Sequence, residues 1–145
     1  MQRATLIRAP KPMVRWSLWL AVMLVLSACM IRSGAQVHVM QPAPDELAWA
    51  VAFVGAEGFS ERTYTDLQPN TRYTVTMTGQ IAAGTMQLVL YDDARAPVTT
   101  LVVRAGSIVS AQGEVISTAR GHIVIAEYMD AVRKGEYQVW VRPVK

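Results

Sequence analysis

Side chains with chemical reach are sparse in this chain, and few of them stand close enough in sequence to cooperate. A hydrolase needs a nucleophile, a base and a group that orients the base. Only two histidines are available, His38 and His122, and no G-x-S-x-G, H-E-x-x-H or glycine-rich phosphate loop accompanies them. His122 with Glu127 and Asp130 comes nearest to a constellation, and these three read as solvated surface residues. Asp92-Asp93 could hold a cation, yet paired aspartates at a hairpin are first of all turn chemistry. Cysteine-type metal sites are excluded because Cys29 is the single cysteine, and two distant histidines are weak evidence for zinc. The expectation is a protein that is not an enzyme, with no catalytic residue, no metal and no cofactor.

Aromatic residues offer more. Glu136 to Arg142 alternates as a strand, with Tyr137, Val139 and Val141 on one face and Gln138, Trp140 and Arg142 on the other. A tryptophan between glutamine and arginine on a polar face could stack on a sugar ring or anchor a partner protein. The plainer alternative is that Arg142 packs across the indole. Gln138, Trp140 and Arg142 are therefore the candidate residues for binding a ligand or partner. The face formed by Arg72, Thr74, Thr76 and Thr78 reads as solvated sheet.

The lone cysteine has its own context. Arg3, Arg8, Lys11 and Arg15 precede an uncharged run from Trp16 to Ile31, which is the pattern of an export signal helix. As a helix that run would reach about 24 Å at about 1.5 Å per residue. It falls short of a bilayer core about 30 Å thick. Leu26-Ser27-Ala28-Cys29 at its end resembles the lipobox of bacterial lipoproteins. The resemblance implies cleavage before Cys29, diacylglycerol joined to its thiol, and acyl lipid, palmitate among the possible chains, at that residue. Ser27 and Ala28 are small enough for a peptidase subsite. Two rivals stay open, secretory cleavage after Ala35 and an uncleaved anchor flanked by Arg15 and Arg32. In a cell with two membranes the resemblance implies outer-membrane sorting, since Met30 is not the aspartate associated with inner-membrane retention.

Charge follows this division. The whole chain carries +3, but four of its 14 basic residues lie in 1–28 and all 11 acidic ones lie beyond, so the retained part is formally −1. No basic cluster remains to bind nucleic acid. The expected organisation is a signal over 1–28, a lipidated tether over 29–44 and one domain over 45–145. Within the tether, Val37 to Met40 is an alternative edge strand. With Cys29 acylated, the exported domain has no disulfide and relies on its core and sheet ladders.

From Asp45 onward the period is mostly two. Leu47, Trp49, Val51 and Phe53 share a face, although a short helix capped by Asp45 competes. Gly55 and Gly58 then break the run, and Phe59 to Asp66 forms a second strand. Further strands run from Thr71 to Gln80, with Tyr73, Val75 and Met77 inward, and from Gly84, with Met86, Leu88 and Leu90 inward. Val98 to Arg104, Ile108 to Ser117, His122 to Tyr128 and Glu136 to Arg142 complete the set, with at most one helical turn over Asp130 to Lys134. Seven or eight short strands predict an all-β fold, a single antiparallel β-sandwich of jelly-roll or immunoglobulin-like type.

Two local patterns add to this. Leu67-Gln68-Pro69-Asn70-Thr71-Arg72-Tyr73 looks like the loop before the tyrosine corner of fibronectin type III domains, where the hydroxyl ties a corner of the sandwich. The longer pattern, from Tyr73-Thr74-Val75 through Met86-Gln87-Leu88-Val89-Leu90-Tyr91 to Gly135-Glu136-Tyr137-Gln138-Val139, is similar to bacterial pre-peptidase C-terminal domains and to carbohydrate-binding jelly rolls. Those resemblances imply a non-catalytic accessory module. The acidic residues that bind calcium in some such modules are missing beside Met86-Gln87-Leu88. The combined expectation is a membrane-anchored envelope lipoprotein that binds a glycan or other ligand. The rival is an assembly subunit whose strand edge pairs with another envelope protein.

Overall fold

The structure is a computed structural model and describes residues 30–43 and 45–144. The expected export signal over 1–28 and Cys29 lie outside the described residues. Seven strands follow in order: β1 (Ile31–Ser33), β2 (Gln36–Ala43), β3 (Glu46–Tyr64), β4 (Arg72–Tyr91), β5 (Pro97–Arg104), β6 (Val109–Ile116) and β7 (Ile123–Pro143). All their pairings are antiparallel. The protein is an all-β sandwich, as its alternation predicts.

Three long strands build both layers. The first halves of β3 and β4 and the second half of β7 make a layer edged by β2 and β6. Their other halves, with β1 and β5, make the second. The register shifts at Ala56/Gly58 on β3 and at Ala83/Thr85 on β4, both opposite β7. Bulges at matching heights bend all three strands together, so one sheet folds onto itself. Gly84 shows why glycine is required at such a bend. Its φ is +86°, and a Cβ there would lie 2.5 Å from the carbonyl oxygens of Asp130 and Ala131.

The glycines expected to end strands therefore bend them instead. Gly55, Gly58, Gly84 and Gly135 sit inside β3, β4 and β7. The single helical turn expected over Asp130 to Lys134 is part of β7, with Ala131 and Lys134 at positive φ. The capped-helix alternative at Asp45 gives way to β3. The stretch expected as tether is also corrected: β2 pairs along Gln36 to Ala43, so the edge-strand alternative holds and extends, and β1 pairs Ile31 with Glu57. Val37 and Val39 alternate opposite Val51 and Trp49, and a pairing strand satisfies backbone groups that a coil leaves to water.

The core lies between the layers. Val51, Tyr73, Val75, Met77, Val139 and Val141 from the first meet Met86, Leu88, Leu90, Leu101, Ile123 and Ile125 from the second. Each such buried side chain contributes about 1.5–3 kcal/mol relative to exposure. The loop between β3 and β4 is tied as its resemblance to a tyrosine corner implied. The Gln68 amide donates to Tyr73 Oη at 2.8 Å, and Ser117 Oγ donates to Gln68 O at 2.5 Å while accepting from the Thr71 amide at 3.0 Å. The Asp92–Pro97 turn is likewise tied, with Asp92 Oδ1 accepting from the Ala96 amide at 2.7 Å.

Candidate functional site

The outward faces of the two layers differ in kind. On the first, Ala48, Trp140, Thr76 and Gln112 form one cross-strand row, and Ala50, Gln138, Thr78 and Ser110 the next. Gln138, Trp140 and Arg142 are brought to one face as their spacing requires. Trp140 is half-buried, and the Arg142 guanidinium sits over its ring at 4.8 Å. Arg142 also pairs with Glu46 at 3.7 Å. The indole face is therefore already covered by a side chain from its own strand.

The second layer presents aromatic rings instead. Phe59, Tyr128, Gln87 and Val102 form a cross-strand row on its outer face. Phe59 and Tyr128 are 37% and 39% exposed, with ring centroids 4.9 Å apart and planes tilted by 42°. Tyr91 extends the group, its hydroxyl 3.4 Å from that of Tyr128. That hydrogen bond, with a little burial, raises the Tyr128 hydroxyl above the usual phenol range. Beside the rings lies an open cleft of about 370 Å³ whose polar wall is Thr85, Gln87 and Asp130. An exposed apolar platform with hydroxyl, amide and carboxylate groups at its side fits a ligand that has both a C–H face and hydroxyls.

A larger cleft, about 530 Å³, opens where the strands bend, between Gln80, Lys134 and Glu136 on one side and Ser107 and Ile108 on the other. Its one aromatic, Phe53, is 4% exposed beneath Gly135. It offers polar groups without a stacking surface.

One cluster of charge lies inside the sandwich. Glu127, expected at the surface, is 1% exposed. It follows Ile123 and Ile125 at period two, and this parity turns it inward. One carboxylate oxygen accepts from Arg62 Nε at 2.6 Å and from the Tyr137 hydroxyl. The other accepts from Ser60 Oγ at 2.9 Å and from Arg32. Four donors satisfy a carboxylate that would otherwise be costly to bury. Arg62 also stacks over Trp49 at 4.8 Å, and the Trp49 ring meets Tyr64 edge-on at 5.7 Å. Burial lowers the Arg32 guanidinium's pKa and raises the hydroxyls of Tyr64 and Tyr137.

This arrangement separates the three residues nearest to a hydrolase constellation in the sequence. Glu127 points into the core and Asp130 lies exposed on the outer surface. His122 lines a third cleft with Tyr91, Asp92 and Asp93. Among the described residues no three His, Cys, Asp or Glu side chains converge as metal ligands do.

No family model matches this chain, and no curated protein matches it in sequence. Solved structures do. A chain from the disulfide-linked pili of Bacillus endospore appendages is 18% identical over 80% of this chain and 95% of its own, with a TM-score of 0.47. The CBM22-1 xylan-binding domain from Paenibacillus barcinonensis Xyn10C is 13% identical over 80% and 86%, with a TM-score of 0.41. A carbohydrate-binding module from Cellvibrio mixtus lichenase 5A, in complex with cellotriose, is 16% identical over 82% and 98%, with a TM-score of 0.38.

Proposed function

We propose that this chain is a lipid-anchored, non-catalytic binding protein of the cell envelope. Its β-sandwich takes a sugar ring at the Phe59–Tyr128 cleft. The observation that carries the binding site is the exposed aromatic pair flanked by Thr85, Gln87 and Asp130. A pyranose presents an apolar face to the rings and hydroxyls to the polar wall. Asp130 lies in that wall and Arg104 stands opposite Thr85, so the two charges offset one another and a neutral sugar fits. The anchor rests on Leu26-Ser27-Ala28-Cys29, and in a cell with two membranes it places the protein on the outer one.

Calorimetric titration of the unanchored Cys29→Ser domain with neutral oligosaccharides tests the site. Binding that weakens about tenfold in Tyr128→Ala, a loss of about 1.4 kcal/mol, supports it. No binding, or binding lost in Trp140→Ala and kept in Tyr128→Ala, overturns it.

A second reading, an assembly subunit, is favoured by β2. Among the described residues this strand is paired with β3 alone, and it carries no Lys, Arg, Asp or Glu, while Val37, Val39 and Met40 are exposed. Sheet edges without charged residues are templates for pairing with another chain. Recovery of a stoichiometric envelope partner by cross-linking, lost in Val39→Lys, would favour it.

A further inference from the structure

The N-terminal residues do something that a tether does not. Met30 packs against the core, and its sulfur lies 3.0 Å from Arg32 Nε and 3.7 Å from Ser60 Oγ. Ile31 to Ser33 is paired with β3. Arg32 reaches into the sandwich and donates to the buried Glu127 carboxylate. Three successive residues are thus held by packing, by sheet hydrogen bonds and by a buried ion pair. Cys29 stands one residue before Met30 and two before Ile31, and two extended residues reach at most about 7 Å.

Direction matters as much as distance. β1 is antiparallel to β3 with Ile31 opposite Glu57, so the chain before Ile31 leads toward Gly58 and Phe59. Ile31 is 72% exposed, and Phe59, Tyr128 and Val102 are exposed apolar side chains of the adjoining outer face. The opposite face carries threonines, glutamines and the ion pairs Arg72–Glu114 and Arg142–Glu46 across its middle, with exposed Met40 and Ile116 confined to its edge strands β2 and β6. Tyrosine and other amphipathic rings gather at the headgroup level of membranes.

We propose that residues 30–33 are a clamp that holds the domain flush on the lipid surface, with the Phe59–Tyr128 face turned to the bilayer. The proposal rests on the reading of Cys29 as the acylated residue, and not on the identity of the ligand. The aromatic cleft then opens at headgroup level, where the sugars within reach are those of the membrane's own surface. Thr76, Trp140 and Gln112 face away from it.

The acylated protein, reconstituted in phosphatidylcholine vesicles containing spin-labelled lipid, tests this. An environment-sensitive fluorophore is attached through Val102→Cys or through Gln112→Cys, the thioether at Cys29 leaving only the new thiol reactive. Lipid quenching several-fold stronger at position 102 than at 112 is expected. A flexible Gly-Ser linker inserted between Cys29 and Met30 leaves the fold untouched and should erase the difference. Equal quenching at both positions, stronger quenching at 112, or an asymmetry that survives the linker overturns the clamp. Mass spectrometry showing Cys29 unmodified also overturns it. Asymmetric quenching in a protein whose Cys29→Ser domain binds no sugar would leave the clamp standing and remove the proposed ligand.

Discussion

The two outer faces of this sandwich are built by the same three strands, yet one is amide- and hydroxyl-rich and the other is aromatic. Halfway along β7 the chain passes from Val124, Ala126 and Tyr128 on the outside of one layer to Gln138, Trp140 and Arg142 on the outside of the other. The first face keeps its large ring beneath an arginine, while the second leaves Phe59 and Tyr128 open to contact. An aromatic residue is a binding feature only where nothing from its own sheet already stacks on it. Composition alone does not reveal that.

Five substitutions break or sharpen this contrast. The largest acts on Glu127, which lies on the strand common to both faces. Glu127→Ala leaves Arg32 and Arg62 without their shared carboxylate and should cost about 3–5 kcal/mol in urea unfolding. Removing the exposed Glu114, paired with Arg72 at 3.6 Å, should change stability by less than about 1 kcal/mol. Next, Tyr128→Ala should weaken sugar binding about tenfold, whereas Trp140→Ala should alter it less than about twofold. Arg142→Ala uncovers the indole, and sugar binding that then appears at Trp140 would show that the arginine is what distinguishes the two faces.

Smaller effects come from the corner and from pH. Tyr73→Phe removes the acceptor for the Gln68 amide and should cost about 1 kcal/mol, read by thermal unfolding. The hydroxyls of Tyr64 and Tyr137 are held above the unfolded value of about 10 by burial. A raised folded-state pKa contributes stability that is complete below the unfolded pKa and is lost as pH rises beyond it. Unfolding should therefore become easier above about pH 10, and Tyr64→Phe should flatten that loss. Circular dichroism followed alongside phenolate absorbance checks it.

Much of the fold was legible because period-two alternation reports which side chains turn inward. Tyr73, Val75 and Met77, then Met86, Leu88 and Leu90, then Tyr137, Val139 and Val141 are all buried as their spacing demands. The same rule applied to Ile123-Val124-Ile125-Ala126-Glu127 would have put Glu127 in the core. Its charge argued for the surface, and the four donors that reverse that argument come from β1, β3 and the far half of β7. Within the tether expected over 29–44, the strand β1 and the full extent of β2 were missed for a related reason. A polar, proline-containing stretch looks like a linker until a neighbouring strand edge is present to pair with it.

The sequence by itself determined that this is an antiparallel sandwich, which apolar residues of its clearest strands face inward, and that Gln138, Trp140 and Arg142 share a surface. Those properties follow from alternation along single strands. Only the tertiary structure decided that glycines bend β3, β4 and β7 instead of ending them. It also brought Arg32 to Glu127, covered Trp140 and left Phe59 beside Tyr128. Each of these depends on residues distant in the chain meeting across a sheet or between its layers, and no local pattern encodes that encounter.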